Sequence, residues 1–431
     1  MDILLLLIGI GCLFFNKQHL VIAIIIILAS SYLQLALENG GLSTFPFPHN
    51  VSDSGLVLYF LFFISILVKN SLRVLKSPVL PFIGWFLLFL LISSCIDIFI
   101  NHYTIGDVIR QLRHWLYLSI ILIGKYIGKD TIKKAINTII WVTILMCLVL
   151  SFQHITGIHL IGASRIYNMD GTIINRGVKP PVYVISAIML LFGNYNNKNK
   201  KIRIVLIFIL FLPVILSLKI SYTVAIILGC AFIALRLKIS LKKLAYTSAV
   251  VAVLALGIFY SSPVLKTRFL ETTQQTQGIK QGEVDGNFSY RILHFYERLI
   301  YCIQKPQTAV FGIGSVSEQN FNKTVFALGQ PDQTTGKMAQ LNTADIAWSI
   351  LILRLGALGI IVFLFFYIKT YRQLKKYAKN DKLSLVLASY MLMNLLFLSF
   401  GNAIIAYSDF FILPLLYSSA NNQNSLKNYK L

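Results

Sequence analysis

The residues of this chain whose types and spacing bear chemistry are a set of arginines, a lysine and one carboxylate. Arg165, Arg176 and Lys179 fall within positions 154–180, Arg110 and Arg113 within 101–114, Lys219 at the tip of the hairpin LKIS, and Arg354 inside an apolar run. A guanidinium fork meets two phosphate oxygens at once, so several forks lining one pocket suit an anionic ligand held by its phosphates. Taken singly, each of these cations also fits snorkelling or an ion pair with Asp107, Asp170 or Asp345. Asp345 stands apart because it opens the run DIAWSILILRLGALG at 345–359. A carboxylate against an apolar wall has a raised pKa and suits a general base, while the same position suits a helix cap made by Thr343 or Asp345. Both readings stay open at this point.

A further group of cations lies in FSYRILHFYERLIYCIQK at 288–305. Helical spacing puts Phe288, Ile292, Phe295, Leu299 and Ile303 on one face and Arg291, His294, Arg298 and Lys305 on the other. This predicts an amphipathic helix that lies on a membrane or caps a helix bundle. Its basic face would meet either anionic lipid head groups or a phosphate-bearing ligand.

The elements that must position these groups are apolar runs, at 1–15, 20–37, 55–68, 80–100, 115–128, 135–153, 181–193, 204–218, 222–235, 245–260, 344–368, 383–399 and 403–418. About 20 mostly apolar residues span a hydrocarbon core as helix, so the pattern predicts an all-α polytopic membrane protein of about 12–13 transmembrane helices. Composition agrees: 56% of the 431 residues are apolar and only 13% charged, against roughly 25% in a soluble domain. Mean hydropathy is +0.72. A soluble enzyme is excluded on these grounds.

The net charge of +23 reads first as topology. Segments 69–79, 125–134, 198–203, 236–243 and 369–382 carry three, four, four, four and six Lys plus Arg, which assigns them to the cytoplasm. Alternation puts 38–54, 101–114, 154–180 and 261–343 outside. The expected organisation is therefore helices and short loops over 1–260, one large extracytoplasmic loop over 261–343, and helices with a cytoplasmic tail over 344–431. Basic residues dispersed among loops do not make a nucleic-acid surface, and no nucleic-acid partner is expected. The N-terminal run is expected to be retained as a helix.

No nucleotide-binding or zinc-protease motif is present, and the GIG at 312–314 lacks the lysine of a phosphate loop. The five cysteines show no CxxC spacing and the seven histidines no metal-ligand spacing, so neither a metal nor another cofactor is expected. Tyr167, Phe288, Tyr290 and Phe295 could stack on sugar rings or belong to an interfacial aromatic belt.

The layout resembles the superfamily of O-antigen polymerases (Wzy) and O-antigen ligases. NRGVKPPVYVISAIML at 175–190, LSLKISYTVAIILG at 216–229 and the large loop before a span carry the resemblance. Within that loop, YRILHFYERLIYCIQKPQTAVFGIGSVS at 290–317 is similar to the family's order of arginine, amphipathic helix, Pro and G-x-G, with Arg291 at the arginine. Where ligases carry a His-Asn pair eleven residues before a glycine, this chain has Asp345 and Ile346 before Gly356. That departure favours polymerase over ligase.

The resemblance implies a membrane glycosyltransferase of the bacterial inner membrane. It would join undecaprenyl-diphosphate-linked oligosaccharide repeats on the periplasmic face without a metal, for O-antigen lipopolysaccharide or capsule. Asp345, Arg176 and Arg291 would be catalytic, and Arg165, Lys219, Arg113 and Arg298 would hold the diphosphate. Membrane lipid, a chain-length regulator and a flippase are the implied partners. A ligase acting on lipid A core, or a flippase or other transporter, would fit the same span pattern.

Overall fold

The computed structural model describes residues 2–30, 51–70, 80–156, 166–167, 173–174, 181, 183–195, 199–216, 220–238, 287–316, 321, 325–328, 330–331, 338–341, 346–396 and 412–421. In chain order the helices are α1 (Asp2–Phe14), α2 (Gln18–Ala29), α3 (Val51–Asn70), α4 (Leu80–Phe99), α5 (Ile105–Leu116), α6 (Gly124–Ile127), α7 (Lys129–Thr156) and α8 (Val184–Phe192). They continue with α9 (Lys200–Leu216), α10 (Ile220–Arg236), α11 (Asn287–Ile303), α12 (Pro306–Phe311), α13 (Ala347–Tyr377), α14 (Lys382–Leu396) and α15 (Ile412–Asn421). The described strands are two antiparallel ladders of two residues per strand, pairing Ile166 with Ile174 and Gln330 with Ala339.

Among the described residues, three helices are long and apolar enough to cross a membrane: Asp53–Asn70 within α3, Lys129–Gln153 within α7, and all of α13. At 1.5 Å per residue, the 31 residues of α13 would reach about 46 Å if straight. Large apolar side chains point outward as well as inward, including Ile64, Trp85, Leu91, Trp141, Leu145 and Ile361. Water penalises such a surface and hydrocarbon does not. The architecture is that of an all-helical chain compatible with an α-helical membrane protein, and its apolar helices associate it with a membrane.

One continuous apolar core runs from α2 and α3 through α7 to α13, α14 and α15. Small residues set the close approaches within it. A Cβ on Gly55 would lie 2.9 Å from the backbone nitrogen of Ala29, so α3 crosses α2 at a distance that only glycine permits.

Three expectations change. The run 115–128 is not one span: Tyr117–Leu122 is a 3-10 helix, followed by the single turn α6 and by Gly128 at φ +79°. Its residues are apolar because they are buried under α15 and α3, and apolar content alone does not separate a buried turn from a span. The segment 101–114, expected as a loop, is mostly helix α5, whose N-cap Thr104 accepts the Asp107 amide at 3.2 Å. The run 181–193 yields a helix of nine residues, short of a span. The expected domain boundary at 260/261 lies outside the described residues.

Candidate functional site

Helix α11 forms where the 3.6-residue pattern predicts it, but it is oriented opposite to an interfacial helix with a solvated basic face. His294 is 1% exposed and Arg298 0%, while Ile292 is 53% and Tyr296 58% exposed. The cationic face packs inward at His294 and Arg298 while Lys305 stays exposed, and part of the apolar face looks out. Phe295 and Leu299 pack with Cys302, Ile313, Val316, Phe326 and Leu353 in a second apolar cluster beneath the helix.

A fully buried guanidinium is costly unless its donors are satisfied. Arg298 donates to the Glu297 carboxylate, to the Leu328 carbonyl and, at 3.0 Å, to the Gln340 carbonyl, with the Phe326 ring 4.2 Å from its carbon. Glu297 in turn accepts the amides of Ala327 at 2.6 Å and Leu328 at 3.3 Å. Gln340 closes the ring by donating to the Phe326 carbonyl. Arg298 thus holds segments 325–328 and 338–341 onto α11, and its fork is turned to the protein's own carbonyls rather than to a phosphate. On the outer side of the same segment, Leu293, Tyr296, Ile300, Tyr301, Val325 and Phe326 line an open groove of about 530 Å³.

After α12 the chain enters a turn that is wedged between α4 and α13. Gly312 and Gly314 have φ of +72° and +70°, and Gly356, at φ +61°, breaks α13 opposite them. The turn docks into that break through the Ile313 amide, which donates to the Leu353 carbonyl at 2.7 Å. Opposite charges grip its two sides. Asp97, 1% exposed, accepts the Ser315 amide at 2.7 Å and the Asn101 side chain at 3.2 Å. Arg354 donates to the Gly314 carbonyl at 3.2 Å and to the Val316 carbonyl. A Cβ on Gly314 would stand 1.9 Å from Asp97 Oδ1, so glycine is required twice over there, by backbone and by contact.

Arg291 sits two turns before Arg298 on the inward side of α11 and is half-buried. Its Nε is buried with no hydrogen-bond partner among the described residues. One turn later, His294 Nδ1 meets Ser349 Oγ on the first turns of α13 at 3.1 Å, while its Nε2 is buried and likewise unpartnered. Burial, then the charge of Arg298, pulls the His294 imidazole far below the ordinary 6.5, to about 3. The ring is therefore neutral at physiological pH. The Tyr290 ring lies 5.7 Å from it.

The remaining candidates divide plainly. Arg113 forms an ion pair with Asp53 at 2.8 Å, joining α5 to the first turn of α3. Next to it, burial and then the charge of Arg113 lower the pKa of His114 to about 4. Asp345, Arg176, Arg165 and Lys219 lie outside the described residues, so the structure brings together, of the predicted set, Arg291 and Arg298 on one helix. Among the described residues no three His, Cys, Asp or Glu side chains gather as a metal would need.

Sequence reasoning passed over Asp97, Glu297 and His294 as site components. A lone carboxylate inside the apolar run 80–100 was the available signal for Asp97, because an uncompensated charge at that depth is costly.

No family model matches this chain, and no curated protein does. The functional reading accordingly rests on residues and geometry.

Proposed function

We propose that this chain is a membrane glycosyltransferase that polymerises lipid-diphosphate-linked oligosaccharide repeats for O-antigen or capsule on the extracytoplasmic face of the bacterial inner membrane. In this reading it is a multi-pass protein, with fewer spans than the thirteen apolar runs because 115–128 and 181–193 do not form one each, and with 261–343 as its large external loop. The observation that supports the reading most is Arg291. It is a half-buried guanidinium on the inward side of α11, beside α13, whose buried Nε has no partner among the described residues. Such a group suits an anionic ligand.

The reaction asks for little else. A sugar hydroxyl of the acceptor attacks the anomeric carbon of the donor, the bond from that carbon to the diphosphate oxygen breaks, and the lipid diphosphate leaves with the electron pair. Asp345 takes the hydroxyl proton in this scheme. Arg291, with Arg176, Arg165 and Lys219, stabilises the charge that grows on the diphosphate. Arg298 and Arg113 support the site through the loop and through α5.

A transporter reading would draw on the break in α13, since transporters place interrupted helices at their binding sites. Here the 312–316 turn fills that break, and the Leu353 carbonyl freed by it accepts the Ile313 amide. That occupancy favours chemistry over transport.

The test is a gel of surface glycan from cells lacking the gene, complemented with wild type or Arg291→Ala. Collapse of a ladder to single repeats supports polymerisation. Full-length polymer retained on its lipid carrier indicates a ligase, and repeats trapped inside indicate a flippase. An unchanged ladder removes Arg291 from the mechanism.

A further inference from the structure

Resting on the reading above, the geometry points to a second ligand contact in α11: we propose that His294 Nε2 accepts a hydrogen bond from the substituent next to the anomeric carbon of the sugar whose diphosphate Arg291 binds. Arg291 Nε and His294 Nε2 lie one helical turn apart and are buried without partners among the described residues, as is Arg298 Nε, whose guanidinium is already held through its terminal nitrogens. Side chains three positions apart on a helix are neighbours at about 5–6 Å between Cβ atoms. The separation of an anomeric phosphate from the substituent on the adjacent ring carbon is of that order, so one sugar phosphate reaches both.

The polarity of the second contact follows from Ser349. The hydroxyl of Ser349 both donates and accepts, so its 3.1 Å contact with Nδ1 permits either tautomer. With the proton on Nε2, a buried N–H would have nothing to bond, the rarer and costlier arrangement in folded proteins. The proton therefore belongs on Nδ1, donated to Ser349 Oγ, and Nε2 presents a lone pair. The low pKa caused by burial and Arg298 keeps that lone pair unprotonated at neutral pH.

The site then requires an acceptor for Arg291 and a donor for His294. A sugar diphosphate with a hydroxyl or an acetamido N–H at the carbon next to the anomeric centre supplies both. A sugar lacking that donor leaves Nε2 buried and unsatisfied, which makes His294 a specificity-determining residue for the donor sugar.

The experiment uses full-length protein in nanodiscs and three probes: farnesyl diphosphate, farnesyl-diphosphate-linked glucose, and its 2-deoxyglucose counterpart. Wild type is expected to bind the glucose probe about tenfold more tightly than the 2-deoxy probe. His294→Leu is expected to bind the two equally, and Arg291→Ala to weaken all three probes. Ser349→Ala, which frees the ring but keeps the imidazole, is expected to narrow the preference and serves if His294→Leu does not fold. Equal binding of both sugar probes by wild type, or a preference that survives both His294→Leu and Ser349→Ala, overturns the assignment of His294. Failure of wild type to bind any of the three overturns the diphosphate reading of Arg291 as well.

Discussion

Arg291 and Arg298 lie on one face of one helix, two turns apart, and a helical wheel does not tell them apart. Their surroundings do. Arg298 is held through its two terminal nitrogens by Glu297 and by the carbonyls of Leu328 and Gln340, and it sits against Phe326. Both Nε atoms are buried without a partner among the described residues, but the terminal nitrogens of Arg291 make none of the bonds that those of Arg298 make. A buried cation whose terminal nitrogens bond a carboxylate and two carbonyls of its own chain holds the fold together, even with its Nε left over. A half-buried one that bonds to none of the described residues is held ready for a ligand, and that difference divides α11 into an anchoring half and a binding half.

The anchoring half should break most visibly. Gly314→Ala places a Cβ 1.9 Å from Asp97 Oδ1 on a backbone at φ +70°, so the Asp97 carboxylate must swing away and give up the Ser315 amide. Loss of folded protein is expected, read as collapse of the monodisperse peak in detergent. A Gly314→Ala protein that runs and melts like wild type would show that the wedge between Asp97 and Arg354 does not set the position of the turn.

Arg298→Ala comes next. It takes the cation from the Glu297 carboxylate and the donor from the Leu328 and Gln340 carbonyls, a loss of about 3 kcal/mol for removing one side of a buried charged network. A large drop in Tm is the expected result, and an unchanged Tm would make the contrast with Arg291 meaningless.

The effect of pH is smaller and sits at the junction of the two halves. His294 in the folded chain stays neutral down to about 3, whereas an unfolded imidazole takes a proton near 6.5. The unfolded state therefore binds more protons between those values. The stability owed to the neutral ring is complete above about 6.5 and is lost as pH falls from there toward about 3. Tm measured at pH 7.5 and pH 5 should fall less in His294→Gln than in wild type, and equal slopes would mean that the ring is not held neutral.

Much of this was legible in the sequence, for reasons that also explain what was not. The pattern at 288–305 predicts an amphipathic helix, and α11 spans Asn287–Ile303. The GIG at 312–314 reads as a loop turn, and the structure adds why two glycines are needed there. The direction in which α11 faces was not legible, because period alone fixes two faces without saying which one meets hydrocarbon. The fate of 115–128 was hidden for a related reason: its side chains are apolar for burial inside the bundle rather than for lipid. Asp97 was masked by its apolar neighbours, and its partner Ser315 lies 218 positions away. Long-range pairings such as Arg113 with Asp53 leave no local pattern at all.

The smallest expected effect on stability carries the largest weight for function. Arg291→Ala removes no hydrogen bond within the described chain, so its Tm should match that of wild type to within what a shift of about 0.5 kcal/mol produces. The decisive measurement is the affinity of that variant for farnesyl diphosphate in nanodiscs, set beside wild type and beside Tm. Binding weakened at least about tenfold at unchanged Tm is the result predicted for a cation held for a phosphate ligand. Undiminished binding, or a Tm that falls as far as that of Arg298→Ala, would contradict the division of α11 on which the account stands.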